Sequence, residues 1–218
     1  MYENLNLERR GDVFILTLQK PPENRADAPG VVIIRGNYAK FFCTGLDLNE
    51  RDTNPYASSE GLYPLVATLL DYPFPTICLI TGHTFGGASV LSLAHDYRIM
   101  NATRRYWCMP VAELGLHFDR MGALLRAKLR PQIARKVILQ GHKFTSSEAL
   151  EDGVVDEIAP PEEMLDRALQ LANKVKSKAK MGVYGLLRGE LYGEALKAFQ
   201  QISYVHSRLN SGQAKVKL

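Results

Sequence analysis

The chain has 218 residues, of which 46% are apolar, and its 27 basic and 23 acidic residues give a net charge of +4. A chain of this length can build one substantial core, so we expect a single domain over residues 1–218. The charge is mild and the basic residues form no cluster interleaved with aromatic residues, so no nucleic-acid partner is predicted. No apolar run reaches 18 residues, and no membrane span is expected.

The three cysteines are odd in number and lack the paired spacing of a zinc site or a disulfide framework. A reducing, intracellular compartment is therefore expected, and no metal site is predicted. The N-terminal residues lack the basic and apolar regions of a secretory signal peptide. The chain ends in Val216-Lys217-Leu218, which resembles a peroxisomal address except that valine stands where a small residue is usual. We predict a peroxisomal or cytoplasmic location.

The N-terminal half is predicted to contain mostly strands. Residues 4–9 and 13–18 flank a glycine turn and predict a β-hairpin. Apolar, β-rich runs predict strands at 31–36 and 76–81, with a helix at about 61–71 between them. A second helix is expected from Ala88 to His95. Short strands follow at about 97–100 and 106–108.

The C-terminal half is predicted to be mostly helical. Helices are expected at about 121–129, 131–140 and 146–152, and Thr145 to Glu148 has the spacing of a capping box. A strand at 154–158 and a helix at 161–178 follow. Residues 181–209 are predicted to be helix interrupted by glycines. Strands followed by helices indicate an α/β core at about 5–160 and a helical C-terminal region at about 161–210.

Two glycine-containing segments each follow a predicted strand: FFCTGLDL at 41–48 and TGHTFGGA at 81–88. The second leads into a helix, so the backbone N–H groups near Gly87 lie at a helix N-terminus, where unpaired donors and the helix dipole favour negative charge. Two such turns converging on one point would form an oxyanion hole. Glycine turns after strands are common in α/β proteins, however, so spacing alone is also compatible with a purely structural role.

The residues of these two segments resemble motifs of the crotonase family, the enoyl-CoA hydratases and isomerases. FFCTGLDL is similar to the family's F-x-x-G-x-D-L segment, and TGHTFGGAS is similar to its N-G-x-A-x-G-G segment. Further matches follow in the same order at 96–100, 114–116, 134–141 and 147–156. The resemblance covers about residues 5–199. It implies a spiral of ββα units with a helical C-terminal cap, and a homotrimer or hexamer.

The resemblance also implies an acyl-CoA substrate, with no cofactor beyond the coenzyme A that the substrate carries. The thioester oxygen would accept hydrogen bonds from the backbone N–H groups of Leu46 and Gly87. Other contacts to coenzyme A are expected at Cys43, Gly45, Asp47, Leu48, Gly86 and Lys180. The sequences GLDL and DYRIM are closer to the branch that converts 3-enoyl-CoA to 2-enoyl-CoA in fatty acid metabolism.

The chain departs from the family at the acid/base positions. Hydratases use two glutamates, and the matching places here hold Val90 and Val111. Glu113 is the candidate replacement, because in an extended segment residues two apart point to the same face. Asp119 and His117 are the fallback candidates.

A second departure lies between the predicted hairpin and the predicted strand at 31–36. The family places a helix of about 20 to 25 residues between Asn24 and Val31, where this sequence has only six residues. Two alternatives to the isomerase hypothesis therefore stay open. One is a pseudoenzyme that binds an acyl thioester or a partner without turnover. The other is a biosynthetic enzyme that acts on another thioester.

Overall fold

The N-terminal strands form the predicted hairpin. The computed structural model describes residues 5–10, 13–18, 30–37, 40–46 and 58–201. Strand β1, Leu5–Arg10, pairs antiparallel with β2, Val13–Leu18. The two strands stand at the edge of a larger sheet, in which β2 pairs in parallel with the next strand along the chain.

Ten strands in the described residues form two sheets. The first sheet adds β3 (Val31–Gly36), β5 (Thr76–Ile80), β7 (Tyr97–Asn101) and β10 (Glu157–Ala159), in the order β1-β2-β3-β5-β7-β10. From β2 onward its strands run parallel. The second sheet contains β4 (Phe41–Cys43), β6 (His83–Phe85), β8 (Tyr106–Cys108) and β9 (Phe144–Thr145). Its first three strands are parallel and β9 is antiparallel.

From β3 to β8 consecutive strands alternate between the two sheets, and glycines help the chain cross from one sheet to the other. A Cβ on Gly82, between β5 and β6, would lie 2.6 Å from the backbone of Lys40, so only glycine fits there. Helices follow the strand pairs: α1 (Tyr63–Leu70) follows β3 and β4, and α2 (Gly87–Ala94) follows β5 and β6. This repeat is the predicted spiral of ββα units.

Five further helices complete the described structure: α3 (Met121–Lys128), α4 (Pro131–Ile138), α5 (Ser146–Glu151), α6 (Met164–Val175) and α7 (Tyr184–Gln200). A π-helical turn, Ser58–Leu62, precedes α1, and a 3-10 helix, Lys176–Met181, follows α6. Helix α5 starts with the predicted capping box, in which the side chains of Thr145 and Glu148 each accept a backbone N–H of the other.

The core has two parts. A small cluster packs α6 on one face of the first sheet, with Ile33, Ile77 and Ile99 fully buried beneath Ala168. The larger cluster lies between the two sheets and helices α1, α2, α3 and α7. Its members include Phe42 and Leu62, which lie close to the two glycine turns. The apolar runs of the sequence therefore become buried strands, and the amphipathic helices cover them.

Two predicted elements differ from the structure. The strand near residue 154 begins later, because Val154 and Val155 are buried in a bend that follows α5 and β10 starts at Glu157. The C-terminal helix is predicted to be interrupted at four glycines, and only Gly182, with φ 71°, interrupts it, between the 3-10 helix and α7. The prediction is wrong for Gly185, Gly189 and Gly193, which all lie inside the continuous helix α7. Packing explains the second difference, since α7 lies against α1 and α3 and tertiary contacts outweigh weak helix propensity.

A buried ion pair fastens α7 to the rest of the fold. The guanidinium of Arg188 donates to Asp96 Oδ1 at 2.8 Å, to the carbonyl of Leu69 at 2.9 Å and to the carbonyl of Tyr72. Both ionic side chains are almost fully buried, at 4% and 6% exposure. Nearby, the Lys128 ammonium lies 3.4 Å from the centre of the Tyr192 ring. Burial lowers the pKa of Lys128 to about 7.

Candidate active site

The two glycine turns follow neighbouring parallel strands of the second sheet. Strand β4 ends at Cys43 and leads into Thr44, Gly45 and Leu46, while β6 ends at Phe85 and leads into Gly86 and Gly87. Gly45 has φ 96° and Gly86 has φ 58°, backbone conformations that residues with a Cβ rarely adopt. The parallel pairing of β4 with β6 places both turns at the same edge of the sheet.

The backbone nitrogens of Leu46 and Gly87 converge at that edge. A Cβ on Gly87 would lie 3.7 Å from the nitrogen of Leu46, and a Cβ on Gly45 would lie 2.9 Å from the nitrogen of Gly87. Within the described residues, neither of these two N–H groups donates a hydrogen bond to another protein group. Two adjacent N–H groups in this arrangement can both bind one oxygen atom that carries negative charge.

The position of Gly87 at the start of α2 strengthens this site. Gly86 is the N-cap residue and offers no side chain to the first helical N–H groups. Its own N–H donates to the carbonyl of Cys108 at 3.1 Å, which fixes the turn against β8. The helix dipole adds partial positive charge at this end of α2. The sequence-based prediction of two converging strand-exit turns therefore agrees with the geometry.

The surroundings of the two nitrogens are apolar. The Cδ2 methyl of Leu62 would lie 3.2 Å from a Cβ on Gly87, and the Leu46 side chain is also in contact range. Val90, one turn into α2, and Val111 are 1% and 5% exposed and belong to the same core cluster as Leu62. The two positions where the family resemblance places hydratase glutamates thus hold buried apolar side chains of the core.

Glu113 does not occupy the place that the extended-segment argument predicted. Residues 111–115 form a turn, in which the N–H of Leu116 donates to the carbonyl of Val111 at 2.9 Å. Glu113 is exposed, and its carboxylate lies beside Gly141, where a Cβ would be 3.4 Å from Oε1. Leu114, the next residue, is 57% exposed, so this side of Glu113 offers no buried apolar pocket that would raise the pKa of a catalytic carboxylate. The alternation of an extended strand fails here because the chain turns.

The two fallback candidates differ in their surroundings. His117 is exposed. Asp119 is largely covered, with 16% of its side chain exposed. Its Oδ1 accepts the hydroxyl hydrogen of Tyr63 at 2.8 Å, and its Oδ2 accepts from Nε of Arg120 at 2.8 Å. Tyr63 directly follows Leu62, the N-cap residue of α1, whose methyl approaches the Gly87 turn, so Asp119 is held at the N-terminal end of α1, next to the residue that contacts this turn.

The predicted coenzyme A contacts fall into three groups. Gly45 and Gly86 form the turns, and Cys43 is half-buried with its sulfur 3.4 Å from the donating N–H of Gly45. Lys180 is exposed on the 3-10 helix. Asp47 and Leu48 lie outside the described residues. Among the described residues, no group of three histidine, cysteine or acidic side chains could hold a metal ion, and no helix is long and apolar enough to cross a membrane.

Sequence reasoning missed Tyr63 and gave Arg120 no role in the site. Burial, followed by the hydrogen bond to Asp119, raises the pKa of Tyr63 above its usual value. An aromatic residue at the start of a helix is typical of a core position, and Tyr63 does pack edge-to-face on Phe199 of α7. The partner of its hydroxyl lies 56 residues further along the chain, which no local pattern indicates.

Known proteins are similar to this chain along most of its length. A family model described as enoyl-CoA hydratase/isomerase matches residues 19–202. A peroxisomal enoyl-CoA delta isomerase 2 from Arabidopsis thaliana is 32% identical over an alignment of 220 positions, which covers 86% of this chain and 92% of the relative. A carnitinyl-CoA dehydratase from Salmonella arizonae is 32% identical over 208 residues, which cover 85% of this chain and 79% of the relative.

Solved structures show the same fold at lower sequence identity. An enoyl-CoA isomerase from Mycobacterium tuberculosis superimposes with a TM-score of 0.78 at 20% identity, covering 91% of this chain and 95% of that chain. A methylmalonyl-CoA decarboxylase superimposes with a TM-score of 0.77 at 19% identity, covering 94% of this chain and 86% of that chain. At 19–20% identity, structural similarity establishes a shared fold, and the reaction depends on the residues of the site.

Proposed function

The chain belongs to the enoyl-CoA hydratase/isomerase family, the crotonases, and on that premise we propose that it isomerises 3-enoyl-CoA to 2-enoyl-CoA. The observation that carries the proposal is the pair of converging N–H groups of Leu46 and Gly87 at the start of α2. They suit a thioester oxygen that becomes negatively charged when a neighbouring carbon loses a proton. Donors of this kind contribute about 3 to 4 kcal/mol each.

The reaction needs one proton carrier. A base removes a proton from C2, and the electron pair of the C–H bond moves into the thioester, which becomes a dienolate bound by the two N–H groups. The same carrier returns the proton to C4, and the double bond shifts to the 2,3 position. Proton transfer of this kind contributes about 10² to 10⁴ in rate. No electrons leave the substrate, so the proposed reaction requires only coenzyme A as part of the substrate.

We assign the proton carrier to Asp119. Of the three candidate side chains it is the one shielded from solvent, and its hydrogen bond to Tyr63 ties it to the helix that borders Gly87. Glu113 and His117 are exposed, and the Glu113 carboxylate packs on Gly141 instead. A carboxylate that is largely covered and hydrogen-bonded on both oxygens keeps a fixed orientation, which proton transfer to and from a bound substrate requires.

A pair of variants tests this assignment. Asp119→Asn should lower kcat on 3-hexenoyl-CoA by about 10² to 10⁴, because the amide cannot accept the C2 proton. Glu113→Gln is the matched control and should stay within about threefold of the wild type. The assay follows the absorbance of the conjugated 2-enoyl thioester. If the wild type does not turn over 3-hexenoyl-CoA, the proposed isomerase function is wrong, and if it forms a hydrated product, the protein acts as a hydratase instead. A large loss of kcat in Glu113→Gln would assign the proton carrier to Glu113.

The rival function is an acyl-thioester-binding protein without turnover. Buried Val90 and Val111 favour it, because an apolar wall at both family glutamate positions leaves the oxyanion hole without its usual acid and base. Calorimetry with 3-hexenoyl-CoA separates the two functions. Binding without isomerisation would support the rival, and neither binding nor turnover would point to a structural role.

Helix α7 supports the further proposal that the protein assembles into trimers or hexamers. It exposes three large apolar side chains, Leu186, Leu187 and Leu191, at 60–70% each. Apolar surface of this kind marks interfaces more often than solvent-facing helices. Light scattering that returns a monomer of 24.4 kDa would refute this proposal. We also propose a peroxisomal location and a role in fatty acid metabolism. The location can be tested by imaging the protein fused to a fluorescent protein, with the C-terminus left free.

A further inference from the structure

A hydrogen-bonded triad surrounds the proposed proton carrier. The Tyr63 hydroxyl and the Arg120 guanidinium each donate to a different oxygen of Asp119, both at 2.8 Å. Tyr63 comes from α1, and Arg120 immediately precedes α3. Two donors on opposite oxygens fix both the position and the rotation of a carboxylate. The arrangement therefore specifies which way Asp119 faces, beyond the constraint of its own backbone.

Tyr63 is built to donate rather than to ionise. The residue is 3% exposed, and burial together with the nearby carboxylate raises the pKa of its phenol. Its ring centre lies 5.3 Å from that of Phe199, in an edge-to-face contact that holds the phenol in place. The hydroxyl hydrogen is therefore available to Asp119 at any working pH.

Arg120 connects the carboxylate to helix α7. Its Nη1 donates to the carbonyl of Ala198 at 3.0 Å and to the carbonyl of Gln201, at the C-terminal end of that helix. Arg120 also has φ 73°, which makes it the one non-glycine residue with a positive φ in the described part of the chain. A left-handed arginine is strained, and such residues persist where surrounding contacts hold them, often at functional sites.

We propose that Tyr63 and Arg120 are positioning residues that keep the Asp119 carboxylate ionised and aimed for proton transfer. This inference rests on the proposed isomerase function. Hydrogen bonds to the ionised form favour that form, so both donors keep Asp119 able to accept the C2 proton. Among the described residues, Tyr63 from α1 and the adjacent Arg120 are titratable groups that donate to Asp119, while α7 contributes backbone carbonyls to Arg120.

The test is Tyr63→Phe, which keeps the buried ring and removes only the donor. We expect kcat at neutral pH to fall about tenfold and KM to change less than twofold. The acid limb of the kcat profile should move up by about one pH unit, because the ionised carboxylate loses a donor. Tyr72→Phe, two residues beyond the C-terminal end of α1, is the matched control and should leave the profile unchanged. Arg120→Lys should move the limb in the same direction.

A double-mutant cycle decides whether Tyr63 acts through Asp119. In the Asp119→Asn background, Tyr63→Phe should cost less than about twofold in residual activity, since the group it positions is gone. An equal cost in both backgrounds would overturn the inference while leaving the isomerase function intact, and so would an unshifted acid limb in a well-folded Tyr63→Phe. If the wild type does not turn over 3-hexenoyl-CoA, the proposed function and this inference both fail.

Discussion

The substitution Gly87→Ala separates the oxyanion hole from the stability of the fold. Gly87 is the first residue of α2, and its φ lies outside the left-handed region, so alanine fits the backbone. The new Cβ would meet the end of the Leu62 side chain at 3.2 Å, which a shift of a few tenths of an ångström relieves. Alanine also favours a helix over glycine by up to about 1 kcal/mol. The free energy of unfolding should therefore change by less than about 1 kcal/mol.

The effect on catalysis should be much larger. The same Cβ would stand 3.7 Å from the nitrogen of Leu46, in the space that an oxygen needs to lie about 2.7 to 3.1 Å from both nitrogens. Displacing the oxygen from one donor costs about 10² to 10³ in kcat, which corresponds to about 3 to 4 kcal/mol. The substitution should thus cost several times more transition-state stabilisation than folding stability.

Two measurements check this prediction. Thermal unfolding of Gly87→Ala should give a midpoint within about 4 °C of the wild type, and kcat on 3-hexenoyl-CoA should fall at least a hundredfold. Gly189→Ala is the control, because a Cβ there meets no atom within 4 Å and the residue lies inside α7. That variant should keep its activity. A folded Gly87→Ala with wild-type turnover would refute the oxyanion assignment.

Two further predictions concern the buried charges near α7. Burial lowers the pKa of Lys128 to about 7, so the unfolded chain binds the proton more tightly between about pH 7 and 10.5 and stability should rise with pH across that range. Lys128→Met should therefore raise the unfolding midpoint most below pH 7 and least near pH 10. The loss of the contact with Tyr192 reduces this stabilisation at every pH. A stabilisation that does not depend on pH would contradict the prediction. Arg188→Leu should cost about 3 to 5 kcal/mol in chemical denaturation, because it leaves the Asp96 carboxylate buried without its partner. Adding Asp96→Asn should recover part of that loss, and a single-variant cost below 1 kcal/mol would contradict the expectation.

The sequence by itself determined the features that depend on neighbouring residues. The hairpin at β1 and β2, the capping box of α5 and the strand-exit turns at Gly45 and Gly86 all appear as predicted. Each rests on turn chemistry or local periodicity, which adjacent residues dictate. The ordered motifs also identified the family, and with it the spiral of ββα units, and they pointed to Leu46 and Gly87 as the proposed pair of donors.

Only the tertiary structure decided what surrounds those donors. The Glu113 side chain points elsewhere than an extended segment would direct it, because its segment folds into a turn. Helix α7 continues through three glycines because it packs on α1 and α3. The hydrogen bond from Tyr63 to Asp119 joins residues 56 positions apart. Contacts of this range depend on how whole helices dock, and local sequence carries no signal for them. Adjacent residues in the sequence therefore indicate the proposed donors, while the surroundings of the proposed proton carrier, Asp119, depend on the packing of three helices.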